Sequence, residues 1–305
     1  MKSEKEMAGF IERKVKEFTG DSPLNRMPHS SDEPIFGEPL VQFADGDDPI
    51  FGRYKKIIDP SHLTPREAIT KAYGKGPQEI GAITVISWVL PITDITGRDS
   101  RREKLVPSRR WSHTRWYGEK FNFALRKHMV KLLSGLGYLA VAPLAQPYYR
   151  EEYANISETG YYSTWSERHM AYACGLGTFS LSDGFITEAG IAHRCGSVVT
   201  DLVLPASPRP AGNRYANCLF YTESKCTACV ARCPVGAITE RGHDKVKCKQ
   251  YLVDLGYLNE KGEVIKEYHD ETTLSGCGLC QTRVPCEFRN PTKDRREKQE
   301  VPDSA

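Results

Sequence analysis

Cysteine is the residue type that most constrains this 305-residue chain, because its distribution is strongly uneven. No cysteine precedes Cys174, and eight of the ten lie between Cys218 and Cys286. A secreted protein held together by disulfides would spread its cysteines along the chain. A dense block of cysteines near the C-terminus instead predicts a metal-binding module.

The composition predicts a globular, water-soluble protein rather than a membrane or disordered one. Apolar residues make up 39% and charged residues 27% of the chain. No apolar run approaches the roughly 18 residues of a transmembrane helix, so we expect no membrane segment. The N-terminal residues carry neither the apolar core of a signal peptide nor a twin-arginine signal, which predicts a cytoplasmic location. The net charge of +3 argues neither for nor against a nucleic-acid partner.

The eight clustered cysteines form two sets of four. The first run is Cys218, Cys226, Cys229 and Cys233, followed by proline, and the second is Cys248, Cys277, Cys280 and Cys286. The C-x2-C-x3-C-P core is typical of bacterial ferredoxins with two [4Fe-4S] clusters, in which the last cysteine of each run binds the other cluster. We therefore expect one cluster on Cys218, Cys226, Cys229 and Cys286, and the other on Cys233, Cys248, Cys277 and Cys280.

Two alternatives remain open for these cysteines. Zinc sites also use C-x2-C pairs, although the C-P element followed by Val-Gly-Ala-Ile favours a ferredoxin. The C-x5-C spacing between Cys280 and Cys286 departs from the usual three intervening residues, so Cys286 is the least typical ligand. Cys174 and Cys195 lie in apolar segments and are predicted to be core thiols.

Hydrophobic periodicity predicts a mixed α/β architecture. The pattern predicts strands at 82–91, 137–144 and 193–204 and helices at 120–136 and 163–176. Because strands and helices alternate along the chain, we expect an α/β sandwich. Further helices are expected over residues 1–18 and from Thr64, where Thr-Pro-Arg-Glu forms a helix start. We expect four segments: a helical and irregular N-terminal segment (1–80), an α/β domain (81–205), a cysteine module (206–290) and a charged tail (291–305).

Several motifs together resemble epoxyqueuosine reductases and corrinoid-dependent reductive dehalogenases. The resemblance covers roughly residues 80–290. It rests on six segments: VISWVLP, ERHMAYACGLGTFSLSDGFIT, CGSVVTDLVL, CTACVARCPVGAI, CKQYL and GCGLCQ. It implies a nitroreductase-like α/β sandwich that binds cobalamin, followed by a ferredoxin-like module with two [4Fe-4S] clusters. The cobalamin is expected to be bound base-off, and the chain has no D-x-H-x-x-G corrinoid motif.

In this family, electrons pass through the clusters to cobalt, which reduces the substrate while a protein group donates a proton. The resemblance implies corrinoid contacts at seven positions: Tyr162, His169, Gly177, Thr178, Phe179, Gly196 and Ser197. The Gly175-Leu176-Gly177 segment has a second interpretation as the C-terminal cap of a helix. Reduced ferredoxin or flavodoxin is the expected electron donor.

The resemblance places the proton donor at Tyr161. In epoxyqueuosine reductases an aspartate lies six residues before the Glu-Arg pair that corresponds to Glu167 and Arg168, whereas reductive dehalogenases are similar to this chain in using a tyrosine. A phenol of ordinary pKa near 10 can donate if a cation such as His169, Arg168 or Arg194 stabilises the phenolate. Tyr162 is a rival donor, and a packing role for Tyr161 is the alternative.

Residues 98–120 mix eight Arg or Lys residues with Trp111, Trp116 and Tyr117. Such a segment suits binding of RNA, a cobalamin phosphate or an anionic substrate, and otherwise a solvated loop with a few packed aromatics.

The expected function is a cobalamin- and iron–sulfur-dependent reductase of a small halogenated or oxygenated organic substrate. The alternatives are an epoxyqueuosine-tRNA reductase and a non-catalytic protein that transfers electrons or activates a corrinoid protein.

Overall fold

A computed structural model describes residues 3–28, 30–157, 160–209, 212–224, 226–256 and 276–293. These residues contain the following α-helices: α1 (Glu4–Asp21), α2 (Ile50–Ile57), α3 (Pro65–Tyr73), α4 (Asp94–Arg102), α5 (Arg109–Gly135), α6 (Glu167–Ala173), α7 (Ala228–Arg232) and α8 (Lys245–Asp254). They also contain the following strands: β1 (Arg26–Met27), β2 (Ser30–Pro34), β3 (Leu40–Asp45), β4 (Thr84–Pro91), β5 (Ala140–Val141), β6 (Glu151–Ser157), β7 (Gly160–Ser163), β8 (Gly177–Phe179), β9 (Phe185–Thr187), β10 (His193–Thr200), β11 (Ile238–Thr239) and β12 (Gly242–His243). The chain is therefore a mixed α/β protein, as predicted.

Backbone contacts divide the chain into two compact units that are not consecutive in sequence. The first unit comprises residues 1–90, 117–176 and 194–209, and the second comprises residues 91–116, 177–193 and 210–305. The sequence analysis expected consecutive domains at 81–205 and 206–290. Each observed unit instead combines three stretches of sequence, and the stretches of the two units alternate along the chain. Among the described residues, no helix is long and apolar enough to cross a membrane.

The first unit is built on a four-stranded sheet with the strand order β3-β4-β10-β5. β4 is buried along almost its whole length, as its continuous apolar sequence predicts. β3 pairs with β4 in antiparallel register from Leu40 opposite Val89 to Asp45 opposite Thr84. The predicted strand at 137–144 is much shorter, since β5 contains two residues and Pro143 begins a 3-10 turn.

Helix starts in the first unit follow the capping rules of the sequence. The Ser3 hydroxyl accepts from the backbone N–H of Glu6, and the Glu6 carboxylate accepts from the Ser3 N–H, which completes a capping box at α1. Thr64 and Glu67 form the same arrangement at α3, with Pro65 as the first helical residue. The helices predicted over 1–18 and from Thr64 are confirmed.

α6 ends in a Schellman motif, which explains the Gly175-Leu176 pair. The N–H of Gly175 donates to Tyr172 O and the N–H of Leu176 donates to Ala171 O, both at 3.0 Å. Gly175 has φ of 82°, a left-handed conformation that glycine adopts without strain. The helix-cap interpretation of this segment is therefore confirmed.

Among its described residues, the second unit contains two small antiparallel hairpins, the helices α4, α7 and α8, and the first part of α5. β8 pairs with β9, from Gly177 opposite Thr187 to Phe179 opposite Phe185. β11 pairs with β12, and α7 and α8 carry cysteines of the two runs. Residues Leu181, Ile186, Ile191, Ile238 and Val284 form an apolar cluster together with Cys218.

Of the alternatives for residues 98–120, the structure shows a packed aromatic residue but has helices in place of a solvated loop. α4 covers the first part of the segment and α5 begins at Arg109. Trp111 is buried, and its ring packs against Gly278 of the second cysteine run. The small polar residues Ser100 and Ser108 are also buried, and their hydroxyl groups share a hydrogen bond of 2.8 Å.

Gly196 provides a test of packing in the first unit. The indole N–H of buried Trp88 donates to Asn122 Oδ1 at 2.9 Å, and a Cβ built on Gly196 would lie 2.4 Å from that indole nitrogen. We expect Gly196→Ala to lower the free energy of unfolding by about 1–3 kcal/mol through overpacking. Chemical denaturation monitored by circular dichroism measures the change.

Gly52→Ala is the matched control for that variant. Gly52 lies in α2, and a Cβ at this position would meet no atom within 4 Å. We expect this substitution to stabilise the protein by up to about 1 kcal/mol through helix propensity. Equal effects of the two substitutions would contradict the assigned role of Gly196.

Candidate functional site

The candidate site residues of the first unit surround the start of α6. β7 carries Tyr161 and Tyr162, both half-buried, and Glu152 lies opposite Tyr162 on β6. Neighbouring residues of a strand point to opposite faces, so the two phenols have different surroundings. Ser163 Oγ donates to Trp165 O at 2.8 Å, which fixes the path of the chain from β7 into α6.

The surroundings of Tyr162 disfavour it as an acid. Partial burial, together with the carboxylates of Asp59 and Glu152, raises the pKa of Tyr162, while Arg150 opposes the rise. A phenol whose pKa is raised gives up its proton less readily. Tyr162 is therefore the poorer candidate of the two for donating a proton.

The three cations proposed near Tyr161 have different environments. His169 shares a hydrogen bond of 2.8 Å with Ser166 Oγ through Nδ1, and its ring lies edge-on to Tyr54 at 4.9 Å. Arg194 forms an ion pair with Glu119 at 3.1 Å. Arg168 is exposed. Of the three, His169 and Arg194 are half-buried.

A buried charge network at α6 was missed by the sequence analysis. Arg126 on α5, 1% exposed, donates through Nε to Glu167 Oε1 and through Nη1 to Glu119 Oε1, each at 3.1 Å. Its Nη2 donates to Cys195 O at 3.2 Å. Burial lowers the pKa of Arg126, but the carboxylates of Glu167 and Glu119 outweigh burial, so the pKa is raised.

Glu167 receives hydrogen bonds from Arg126 and from a residue predicted to bind corrinoid. Ser197 Oγ donates to Glu167 Oε2 at 2.5 Å and accepts from the indole N–H of Trp165 at 3.1 Å. Burial raises the pKa of Glu167, while Arg126 and the Ser197 hydroxyl oppose that rise. Both hydrogen-bonding functions of Ser197 are used inside the first unit, so this side chain positions Glu167 and Trp165.

The other predicted corrinoid positions divide into buried and accessible residues. Gly196 is buried against Trp88 and Asn122 of the same unit. In the second unit, Gly177 and Thr178 are buried, and Thr178 Oγ1 accepts from the backbone N–H of Asn217 at 2.9 Å. Phe179 is half-buried, as are Tyr162 and His169. Thr178 holds the residue immediately before Cys218, so its hydroxyl acts on the cysteine module.

The first predicted quartet comprises Cys218, Cys226, Cys229 and Cys286, all free thiols. Burial raises the pKa of Cys229 to about 11, and the neighbouring Cys218 and Cys226 raise it further. Burial also raises the pKa of Cys286, with contributions from Cys218, Cys229 and Cys226. These four thiols therefore lie close enough to influence one another, although Cys286 is distant in sequence.

The second predicted quartet behaves in the same way. Burial raises the pKa of Cys248 to about 11, and the neighbouring thiols of Cys277 and Cys233 also raise it. Burial raises the pKa of Cys280 well above its usual range, with contributions from Cys277, Cys248, Cys229 and Cys233. Ala237 N–H donates to Cys233 Sγ at 3.2 Å. The thiols that raise one another's pKa therefore fall into the same two sets of four, except that Cys229 also raises the pKa of Cys280.

The donor set fits two iron–sulfur clusters chemically. Buried thiolates are costly in isolation, and binding to iron removes that cost by deprotonating and neutralising them. Among the described residues, no three His, Cys, Asp or Glu side chains are arranged around a single metal ion. The two quartets are therefore recognised from which thiols raise one another's pKa, and not from ligands arranged around one ion. Ligation of the clusters stays a prediction.

Cys174 and Cys195 belong to the first unit, whereas the eight other cysteines belong to the second. Cys174 is fully buried, and its thiol donates to Val85 O at 3.6 Å. Burial raises the pKa of Cys195 to about 12. The prediction that Cys174 is a core thiol is confirmed, while Cys195 is half-buried.

Comparison with known proteins supports the resemblance seen in the motifs. No protein-family model matches the chain. An epoxyqueuosine reductase from Bacillus cereus is 26% identical over 173 residues, which cover 55% of this chain and 39% of that protein. The epoxyqueuosine reductase of Bacillus anthracis matches with the same values. The chain therefore spans well under half the length of the curated relatives that it matches.

Solved structures show which fold the chain shares. The epoxyqueuosine reductase of Streptococcus thermophilus has a TM-score of 0.51 at 14% identity, covering 92% of this chain and 67% of that one. A catabolic reductive dehalogenase, solved with 3-bromo-4-hydroxybenzoic acid, has a TM-score of 0.50 at 13% identity, covering 96% and 39%.

His62 makes stability in the first unit sensitive to pH. Its Nε2 accepts from the N–H of Ser166 at 3.1 Å, and its ring stacks on Trp165. Burial lowers the pKa of His62 from 6.5 to about 4. Because the folded-state pKa is depressed, the stabilisation is complete above pH 6.5 and is lost as the pH falls towards 4. The expected loss is about 3 kcal/mol.

A His62→Gln variant tests this pH dependence, because glutamine can accept the same hydrogen bond and does not titrate. Urea unfolding of both proteins between pH 7 and pH 4.5 gives the difference in stability. The wild type should lose more stability on acidification than the variant. Parallel pH profiles would contradict the assignment to His62.

The resemblance predicted from the motifs is confirmed: the chain is similar in sequence to epoxyqueuosine reductases and has the fold of an epoxyqueuosine reductase and of a reductive dehalogenase.

Proposed function

We propose that this protein is an oxidoreductase that uses two [4Fe-4S] clusters and cobalamin to reduce a small organic substrate, by dehalogenation or by removal of an epoxide oxygen. The observation that carries the proposal is the pair of thiol quartets in the second unit, in which Cys218 is buried and the other seven cysteines are half-buried. The sequence similarity to epoxyqueuosine reductases favours the same class of chemistry. When bound, the clusters would supply single electrons and the corrinoid would deliver them to the substrate.

The chain supplies ligands, contacts and a proton in this proposal. Each thiol quartet would hold one cluster in a ferredoxin-like module. Tyr162 and His169 keep accessible surface in the first unit and are the proposed corrinoid contacts there, in a nitroreductase-like domain. Ser197 and Glu167 instead fix the start of α6. The proposed electron donor is reduced ferredoxin or flavodoxin, and the proposed location is the cytoplasm.

Tyr161 is the proposed proton donor. It occupies the position where epoxyqueuosine reductases are expected to carry an aspartate, and the raised pKa of Tyr162 favours Tyr161 over its neighbour. A tyrosine here favours a dehalogenase-like reaction over reduction of epoxyqueuosine in tRNA. Reduction of epoxyqueuosine stays the second candidate because of the sequence similarity.

A non-catalytic electron carrier is the remaining alternative. Anaerobic reconstitution with iron, sulfide and cobalamin, followed by gel filtration and visible and EPR spectroscopy, distinguishes the two functions. Retention of one corrinoid per chain is expected for the reductase. A protein that contains both clusters but releases the corrinoid would refute the catalytic proposal.

The cluster ligands are tested by single substitutions. We expect the wild type to contain about eight iron and about eight acid-labile sulfide per chain, and Cys286→Ala to contain about four of each. Cys195→Ala is the control, since Cys195 belongs to the other unit and should leave both counts unchanged. Zinc in place of iron, or a full iron count in Cys286→Ala, would contradict the assignment.

The proton donor is tested by comparing Tyr161→Phe with Tyr162→Phe. Turnover is assayed with a chemical reductant and either a brominated hydroxybenzoate or an RNA stem loop carrying epoxyqueuosine. Loss of a general acid should lower kcat by about 100-fold or more in Tyr161→Phe, with unchanged cluster and cobalt EPR signals. The opposite ranking of the two variants would assign the role to Tyr162.

A further inference from the structure

The Arg232 guanidinium donates hydrogen bonds to several segments of the second unit. It directly precedes Cys233, at the end of α7. Its Nε donates to Thr282 O at 2.9 Å and to Leu279 O at 3.2 Å, and its Nη2 donates to Thr282 Oγ1 at 3.0 Å. Leu279 and Thr282 flank Cys280 in the second cysteine run. One side chain therefore fixes the positions of Cys233 and Cys280 relative to each other.

The remaining donors of Arg232 reach the end of α4. Nη1 donates to Glu103 O at 2.7 Å, and Nη2 also donates to Ser100 O at 3.1 Å. Three separate segments of the second unit therefore meet at this guanidinium. All three contribute to the surroundings of the quartet formed by Cys233, Cys248, Cys277 and Cys280.

The positive charge of Arg232 is distinctive because its hydrogen-bond acceptors are neutral. Each bond described above ends on a carbonyl or hydroxyl oxygen, and no ion pair of Arg232 occurs within the part of the chain that the structure describes. Burial lowers the pKa of Arg232 and the neighbouring Arg283 lowers it further, while the Glu287 carboxylate and the thiols of Cys277 and Cys280 oppose the fall. A guanidinium remains charged at neutral pH even so.

The first quartet has a different electrostatic neighbour. Glu287 follows Cys286, is buried, and accepts from Arg101 Nε at 2.7 Å and from Arg283 N–H at 2.8 Å. This carboxylate is therefore paired with a cation, so its charge is largely offset. Arg283, which lies between Cys280 and Cys286, and the Glu287 carboxylate both act on Arg232, so the charges near Arg232 and near Cys286 belong to one electrostatic network.

We propose that Arg232 positions the second quartet and raises the reduction potential of the cluster bound there. Reduction adds one electron to a [4Fe-4S] cluster and makes it more negative, and a nearby positive charge stabilises that form. Loss of the guanidinium charge is therefore expected to lower the reduction potential of the cluster on Cys233, Cys248, Cys277 and Cys280. This inference rests on the proposed binding of two [4Fe-4S] clusters.

The experiment is an EPR redox titration of the reconstituted protein with dithionite, before and after Arg232→Gln. The signal of the second cluster is identified by its loss in Cys248→Ala. We expect the midpoint potential of this signal to fall in Arg232→Gln while the other signal stays in place. Arg241→Gln, which removes an exposed arginine of the same unit, is the control and should leave both potentials unchanged.

Iron analysis separates failure of this inference from failure of the proposed function. A wild type without about eight iron and eight sulfide would refute the two-cluster proposal itself. Full iron in Arg232→Gln with unchanged potentials would overturn the inference alone. Arg232→Lys, which keeps the charge, should retain a potential nearer to that of the wild type.

A second pair of variants decides the case in which Arg232→Gln loses four iron. Thr282→Asp places a carboxylate beside the guanidinium and leaves Arg232 intact, whereas Thr282→Asn has nearly the same shape without the charge. A lower potential of the second cluster in Thr282→Asp than in Thr282→Asn supports the inference. Equal potentials in the two variants would overturn it.

Discussion

Removal of an arginine charge from water is the constraint on which the candidate site depends. In the first unit, Arg126 is almost completely buried and is held by two carboxylates and a backbone carbonyl. A buried ion pair contributes modestly to stability, but loss of one partner leaves an uncompensated charge that costs about 3–5 kcal/mol. The network therefore strongly specifies the arrangement of α5, α6 and β10. Ser197 and Trp165 extend this constraint to the chain that leads out of β7 and carries Tyr161.

The second unit accommodates an arginine differently. Arg232 is only half-buried, so water and carbonyl dipoles can stabilise its charge without a carboxylate. These hydrogen bonds join the end of α4 to the segment that carries Cys280. In both units the arginine contacts explain why distant segments pack together.

Sequence reasoning succeeded where the controlling interaction is local. Ser3 with Glu6 and Thr64 with Glu67 are three residues apart, so the helix starts could be read directly. The pairing of Arg126 with Glu167 joins residues 41 positions apart, and nothing near either residue indicates it. A solvated loop was one alternative for residues 98–120, whereas the burial of Ser100 and Ser108 against each other shows that small polar residues can form an interior. The composition of each unit from three separate stretches of sequence likewise depends on long-range packing.

The unusual spacing of Cys286 has a local structural cause. Arg283 lies in the five-residue interval after Cys280 and adopts φ of 58°, so the chain turns sharply there. The N–H of Arg283 donates to the Glu287 carboxylate, which closes the turn across Cys286. From the other side, Ile191 N–H donates to Cys286 O at 2.8 Å, beside the apolar cluster that contains Cys218. The requirement for a cluster ligand is the position of its sulfur atom, and a capped left-handed turn can deliver that position with five intervening residues. Spacing rules derived from shorter loops therefore describe one solution to the geometry rather than a condition for it.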